Sequence, residues 1–252
     1  PVCAGSTRTS TEINTAFSVA TKLKNLIQNN CTWTAHMTYT DNSCGVCLTL
    51  AQRSNMSNSW NADRFISVHC NAGGGTGTET FWCDNSISSN SSAQAFATEV
   101  QARMVQYGQW SNRRVVEDNT YLGFHLGVLT NNNAIGCLNE IGFVDNSSDA
   151  AKLLDNSWRD NFANAYYIAL QNSLGLTCGT STCTDNYEAN NSSSTATDVF
   201  ANPLSSSNSS NYTIQGNIGY AGDQDWFKIK IAACGTLTLN LSSLKHIKNL
   251  ML

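Results

Sequence analysis

Residues 64–83 read RFISVHCNAGGGTGTETFWC. Phe65 to Val68 is a short, mostly apolar run that predicts a buried strand. The run ends at His69 and opens into a glycine-rich loop, and Thr78 to Cys83 predicts a further strand. Outward from this stretch, helices and strands alternate. Residues 12–28 predict a helix, with Ile13, Phe17, Ala20, Leu23 and Ile27 on one stripe and Thr11 placed to cap it. Residues 32–40 (TWTAHMTYT) alternate loosely as a strand, 41–47 (DNSCGVC) read as a loop, and 48–60 as a helix carrying Leu48, Leu50 and Met56. Residues 92–107 predict a helix with Phe96, Val100 and Met104 in register. Ala134 to Leu138 predicts a compact strand ending at Asn139-Glu140. Residues 149–174 predict one long helix with Leu154, Trp158, Phe162, Ala165 and Ala169 on one face. The alternation predicts an α/β domain whose mostly parallel or mixed twisted sheet is flanked by helices. Such sheets place ligands at the carboxyl ends of their strands, where this reading puts both His69 and Glu140.

Composition narrows the function classes. The chain has 252 residues and a formal net charge of -4, with 13% charged residues and 2 prolines. Ser, Thr and Asn make up 85 of the 252 residues, so amides and hydroxyls supply the solubility, a surface suited to an extracellular setting. No apolar run of about 18 residues is present, which excludes a helical membrane span. A mildly acidic chain without Lys/Arg clusters is a poor polyanion binder, so nucleic acid is not an expected partner. The ten cysteines are too dilute for a disulfide-scaffold miniprotein, and their even count and scatter fit several disulfides in a secreted protein.

The composition shifts after residue 177. Residues 178–211 are dominated by Cys, Gly, Ser, Thr and Asn and read as a linker and the start of a further module. Within 212–252, YTIQGNIGYAGDQDWFKIKI and GTLTLNLSSL predict short strands of a small all-β module. The tail HIKNLML (246–252) departs from that pattern.

Four histidines are present, at 36, 69, 125 and 246. For His36, in a strand pattern, and His125, in LGFHLGVL, a hydrogen-bonded structural histidine is the stronger reading. His69 is balanced between ligand and structural residue. Glu12 heads a helix, where a carboxylate gains about 0.3–1 kcal/mol from the dipole. Glu79 reads as a strand-edge carboxylate. Glu140 follows an apolar strand and has Ile141 and Phe143 beside it, and a carboxylate there is costly unless paired, hydrogen-bonded or protonated. That favours a functional role.

The motifs SVHCNA (67–72), GTETFWC (77–83) and NEIGFVDN (139–146) resemble those of the zinc-dependent N-acetylmuramoyl-L-alanine amidases of the amidase-3 type. That family has Ser-Ile-His-Ala-Asn-Ala, then Gly-x-Glu-x-Phe, then Val-Glu-x-Gly-Phe-x-Ser-Asn, in this order. TEINTAFSVATKLKNLI resembles its ligand glutamate at the head of a helix. LAQRSNMSN (50–58) and SNRRVVEDNTYLGFHLGVL (111–129) resemble two further segments. The resemblance spans about residues 8–176.

The resemblance implies that residues 1–177 are an amidase-like catalytic domain with Glu12 and His69 as zinc ligands. It implies that Glu140 is the catalytic carboxylate and that Arg114, or its neighbour Arg113, is a site arginine. The implied substrate is peptidoglycan, cleaved between N-acetylmuramic acid and L-alanine, and the implied location is secreted, periplasmic or at the cell envelope. The alternative is a non-catalytic wall-binding protein on the same fold. The family's first ligand is a His in a Gly-His-Gly-Gly turn after its first strand. This chain has no such turn, and Pro1 falls just downstream of its expected place, so that strand and ligand are expected to be missing here.

Among the cysteines, Cys44 and Cys47 have redox-motif spacing but lack a thioredoxin-like strand before them, which favours a local disulfide. Cys178 with Cys183, and Cys70 with Cys83, are further candidate pairs. Residues 184–244 resemble the pre-peptidase C-terminal β domain of secreted bacterial hydrolases. There Trp226 and Phe227 offer a binding platform or core, and Asp223 and Asp225 a calcium site or a turn.

Overall fold

The computed structural model describes residues 9–40, 47–84, 90–176, 197–198, 227–228 and 249–251. Residue contacts divide the chain into two units, one comprising 1–28, 33–177 and 248–252, the other 29–32 and 178–247. The first begins with α1 (Ser10–Asn30) and β1 (Thr34–His36), followed by α2 (Leu50–Ser59), β2 (Arg64–Asn71) and β3 (Thr78–Trp82). Next come α3 (Asn90–Gly108), β4 (Asn112–Glu117), α4 (Asp118–Leu122) and α5 (Gly127–Thr130). β5 (Ile135–Phe143), α6 (Ser147–Leu154) and α7 (Asn156–Leu174) complete the run. In the second unit, β6 (Thr197–Asp198) pairs in parallel with β7 (Phe227–Lys228). The strand β8 (Asn249–Met251) returns to the first.

Among the described residues, six strands form one sheet in the order β1-β8-β2-β5-β3-β4. Every neighbour is parallel except β5 with β3. The fold is therefore the expected mixed α/β sheet flanked by helices. On one face Phe65, Phe81 and Leu138 pack with Val128 and Leu129 of α5 and with Met251 of β8. Burying each of the larger side chains contributes roughly 1.5–3 kcal/mol. On the other face α3 and α7 cover the sheet, with Phe96, Met104, Phe162 and Tyr166 fully buried.

Several boundaries differ from the sequence expectation for physical reasons. α1 starts at Ser10, and its cap is Thr9 rather than Thr11: the Thr9 hydroxyl accepts the Glu12 N–H at 3.2 Å. The long C-terminal helix is two helices. Asp155 has an extended backbone, and its carboxylate accepts the Trp158 N–H at 2.9 Å to cap α7. The break turns Leu154 out of the expected stripe to 59% exposure. β2 and β5 both outrun their apolar cores, because each gains ladder partners beyond it. His69 and Glu140 therefore sit inside their strands, not at the ends. The tail that fits no strand pattern supplies β8, between β1 and β2.

Candidate active site

Strand register builds the site. His69 of β2 is the partner of Glu140 on β5. Glu140 is also the partner of Glu79 on β3, and Glu79 is the partner of Arg114 on β4. Register partners on adjacent strands point to the same face. A lateral row His69–Glu140–Glu79–Arg114 thus crosses four strands. It lies on the face shared by Phe65, Leu138 and Phe81, an even number of residues away along each strand.

Glu79 is 3% exposed. Its Oε2 lies 3.0 Å from Nε of both Arg113 and Arg114, and its Oε1 accepts the Asn71 side-chain N–H. Two consecutive strand residues normally face opposite ways. A register irregularity between Thr78 and Glu79 in the β3–β4 pair accompanies the convergence of both arginines on one carboxylate. Arg113 then stacks over Phe143 and Arg114 over Tyr121.

The row opens into a cleft of about 520 Å³ that includes His69, Asn71, Glu79, Arg113, Glu140 and Phe143 among its lining residues. One wall is the glycine loop between β2 and β3. Two acidic side chains that follow β5 hold it down. Asp145 accepts the Gly73 and Gly74 N–H groups at 2.7 and 2.8 Å. Buried Asp149 accepts Thr76 Oγ1 and the N–H groups of Gly77 and Phe143. At Gly75 an added Cβ would come within 2.4 Å of the Phe143 ring and 2.9 Å of Arg113, so a side chain there would fill the cleft wall. The two loop amides hold the Asp145 carboxyl below the usual carboxylate range.

Beneath the row, Asn139 is fully buried. Its amide donates to Thr78 Oγ1, the Glu79 carbonyl and Thr80 Oγ1, and its carbonyl accepts the Tyr166 hydroxyl at 2.6 Å. Burial pushes the Tyr166 phenol up, with the nearby thiols of Cys137 and Cys70 and the Glu140 carboxyl adding to the shift. This network fixes β3 against β5 and so fixes Glu79 beside Glu140.

Glu12, buried in the first turn of α1, reaches His69 with Oε1 at 3.2 Å from Nδ1, and the other ring nitrogen lies 3.1 Å from Ser67 Oγ. Two donors of a tetrahedral metal ion sit roughly 3.3–3.5 Å apart, so this imidazole–carboxylate pair fits two places of such a site. Among the described residues, the groups of three candidate ligands are Cys83, Asp118 and His125, and Asp84, Glu117 and His125. Neither contains Glu12 or His69.

The profile of the amidase-3 family, N-acetylmuramoyl-L-alanine amidase, matches residues 3–172. The chain belongs to the amidase-3 family. The amidase CwlM of Bacillus licheniformis is 31% identical over 129 residues, covering 51% of this chain and 47% of that protein. A sporulation-specific N-acetylmuramoyl-L-alanine amidase of Bacillus subtilis is 30% identical over the same length and coverage. The chain spans about half the length of these curated relatives. An N-acetylmuramoyl-L-alanine amidase from Clostridium difficile 630 has the same fold, with a TM-score of 0.58, 23% identity, 69% of this chain and 89% of that one covered. The catalytic domain of CwlV from Bacillus (Paenibacillus) polymyxa gives 0.57 and 21%, covering 66% and 86%.

Within this amidase-3 domain the structure brings together the four residues singled out from sequence. Glu12 meets His69, His69 is level with Glu140, and Arg114 is joined to the row through Glu79. Arg113 also lines the cleft. Glu79, Asn71, Asn139 and Asp145 were missed as site residues. The signal for Glu79 lay in the two adjacent arginines 34 and 35 residues on, which a strand-edge carboxylate does not need. Cys70 and Cys83 do not bridge each other across the loop, since the loop's course is set by Asp145 and Asp149. Cys44, Cys178, Cys183, Asp223, Asp225 and Trp226 lie outside the described residues.

Proposed function

We propose that this domain hydrolyses the amide bond between N-acetylmuramic acid and L-alanine in peptidoglycan, with zinc held by Glu12 and His69. The observation that carries the reading is the lateral register of His69, Glu140 and Glu79 on the floor of one cleft, in a chain of the amidase-3 family. A bound zinc ion acidifies a water molecule and polarises a carbonyl oxygen. The residues of the chain divide the remaining work. Glu140 takes a proton from the attacking water on its carboxylate and returns it to the leaving amine of L-alanine. Glu79 holds the guanidiniums of both Arg113 and Arg114 in place. Arg113, on the cleft wall, offers its N–H groups to the carbonyl oxygen as charge builds there. The glycine loop keeps one side of the cleft open to a glycan-linked peptide.

A secreted or envelope location belongs to the same reading. Disulfides among the scattered cysteines would fit an oxidising compartment, and no described helix is long and apolar enough to cross a membrane. Residues 1–177 would form the catalytic domain, 178–211 a Ser/Asn-rich linker and the start of the module, and 212–252 a partial pre-peptidase-like β module, with β8 contributed back to the first sheet.

The test is release of stem peptide from purified muropeptides by the 252-residue chain, with zinc and with a chelator. Zinc-dependent release that Glu140→Gln abolishes is expected. Release unaffected by either change would overturn the reading. A non-catalytic wall-binding role on the same fold is the second reading. It requires sedimentation with sacculi in chelator and no peptide release under any metal.

A further inference from the structure

Away from the cleft floor, β3 ends beside the α4–α5 segment, and four side chains crowd one imidazole. His125 Nδ1 lies 2.9 Å from Asp118 Oδ1, 3.4 Å from Glu117 Oε1 and 3.5 Å from Cys83 Sγ. Asp84 approaches the other ring nitrogen at 3.7 Å. Asp118 is 0% exposed and Cys83 1%.

A structural histidine clip accounts for part of this. Asp118 accepts from His125 and from the Leu126 N–H, and Glu117 caps α4 through Asn119 and Thr120. It does not account for the convergence. One ring nitrogen carries one proton, and a carboxylate, a second carboxylate and a thiol sulfur all gather on that nitrogen.

A metal ion at the centre would account for the gathering. Sulfur, imidazole and carboxylate donors at zinc distances sit roughly 3.3–3.7 Å apart around a tetrahedral centre. The Cys83–His125 and Glu117–His125 spacings already match, and the Asp118 contact needs to open by about 0.5 Å. The sulfur and imidazole select a zinc-type ion over calcium or magnesium, which prefer all-oxygen cages.

We infer that Cys83 Sγ, Asp118 Oδ1 and His125 Nδ1 form a second, structural site for a divalent zinc-type metal ion, with the fourth position completed by Glu117 or water. The site ties the end of β3 to residues 117–126. That segment supplies Tyr121, Leu122 and Leu126 to the cleft wall, and Tyr121 carries Arg114 against its ring at 4.0 Å. The ion therefore holds the wall of the catalytic cleft without entering it. The inference is independent of the amidase chemistry.

The test uses the full chain, stripped of metal under reducing, oxygen-free conditions and titrated with Co(II) alone. A thiolate-to-cobalt charge-transfer band in the near ultraviolet is expected, displaced by zinc. Cys83→Ser loses the band, whereas Cys70→Ser, His69→Ala and Glu140→Gln keep it. Absence of the band in the unsubstituted chain, or its persistence in Cys83→Ser, overturns the assignment. If Cys83→Ser does not fold by circular dichroism, His125→Gln decides. A folded His125→Gln chain with an unchanged band and cobalt affinity overturns the site, and loss of the band with native helix content supports it.

Discussion

Glu79 and Glu140 are register partners across the antiparallel β3–β5 pair, two carboxylates side by side on one face of the sheet. Arg113 and Arg114 both close on Glu79. The arrangement separates their surroundings: Glu79 is engaged by the arginine pair, whereas Glu140 lines the cleft beside His69.

Glu79→Gln removes the charge but keeps the shape. One buried carboxylate holds two guanidiniums, so the substitution is expected to lower stability by about 1–3 kcal/mol. Part of the full buried-pair cost is lost because both arginines reach water. Denaturant unfolding measures the loss. An unchanged midpoint would show that the arginines find other partners at no cost.

Glu140→Gln and His69→Ala are expected to separate two roles. Loss of the proton-transfer group should lower peptide release about 10²–10⁴-fold while leaving bound zinc in place. His69→Ala should lose metal from the catalytic cleft as well as activity. Metal analysis beside the release assay distinguishes them, and full activity in Glu140→Gln would assign the proton transfer elsewhere.

Asn139 and Tyr166 form a buried pair beneath the site. Tyr166→Phe deletes one hydroxyl and is expected to cost about 1 kcal/mol. Asn139→Leu removes the donor to Thr78 Oγ1, Thr80 Oγ1 and the Glu79 carbonyl and leaves the Tyr166 hydroxyl without its acceptor, and is expected to cost several times more. A double-mutant cycle should give a coupling of about 0.5–3 kcal/mol. Additive effects would mean the network does not act as one unit.

The Asp145 clamp has a pH signature. Its carboxyl is held below the ordinary value by the Gly73 and Gly74 amides. A depressed carboxylate stabilises the folded state fully above its unfolded pKa of about 3.9. That contribution fades as pH falls through the folded value. The gap in unfolding midpoint between the unsubstituted chain and Asp145→Ala should therefore be largest near neutrality and shrink below about pH 4. A gap that widens on acidification would contradict the clamp.

The fold and half of the site were legible because they rest on local pattern. An apolar run stopping at His69 and another stopping before Glu140 mark two neighbouring strands, and Glu12 marks a helix start. Glu79 was not legible, because its environment is made by β4, whose NRRVVE pattern has its arginines where alternation predicts one face each. The break at Asp155 was hidden by apolar residues that continue the helical period across it. Cys83, Asp118 and His125 come from three segments, each bland alone.

The placement of β8 has a temporal consequence. Residues 249–251 lie between β1 and β2, strands that leave the ribosome far earlier. Pairing them requires closing a very long loop, a slow, entropically costly contact. During synthesis β1 and β2 must wait with open ladder edges, exposed to any strand that arrives first.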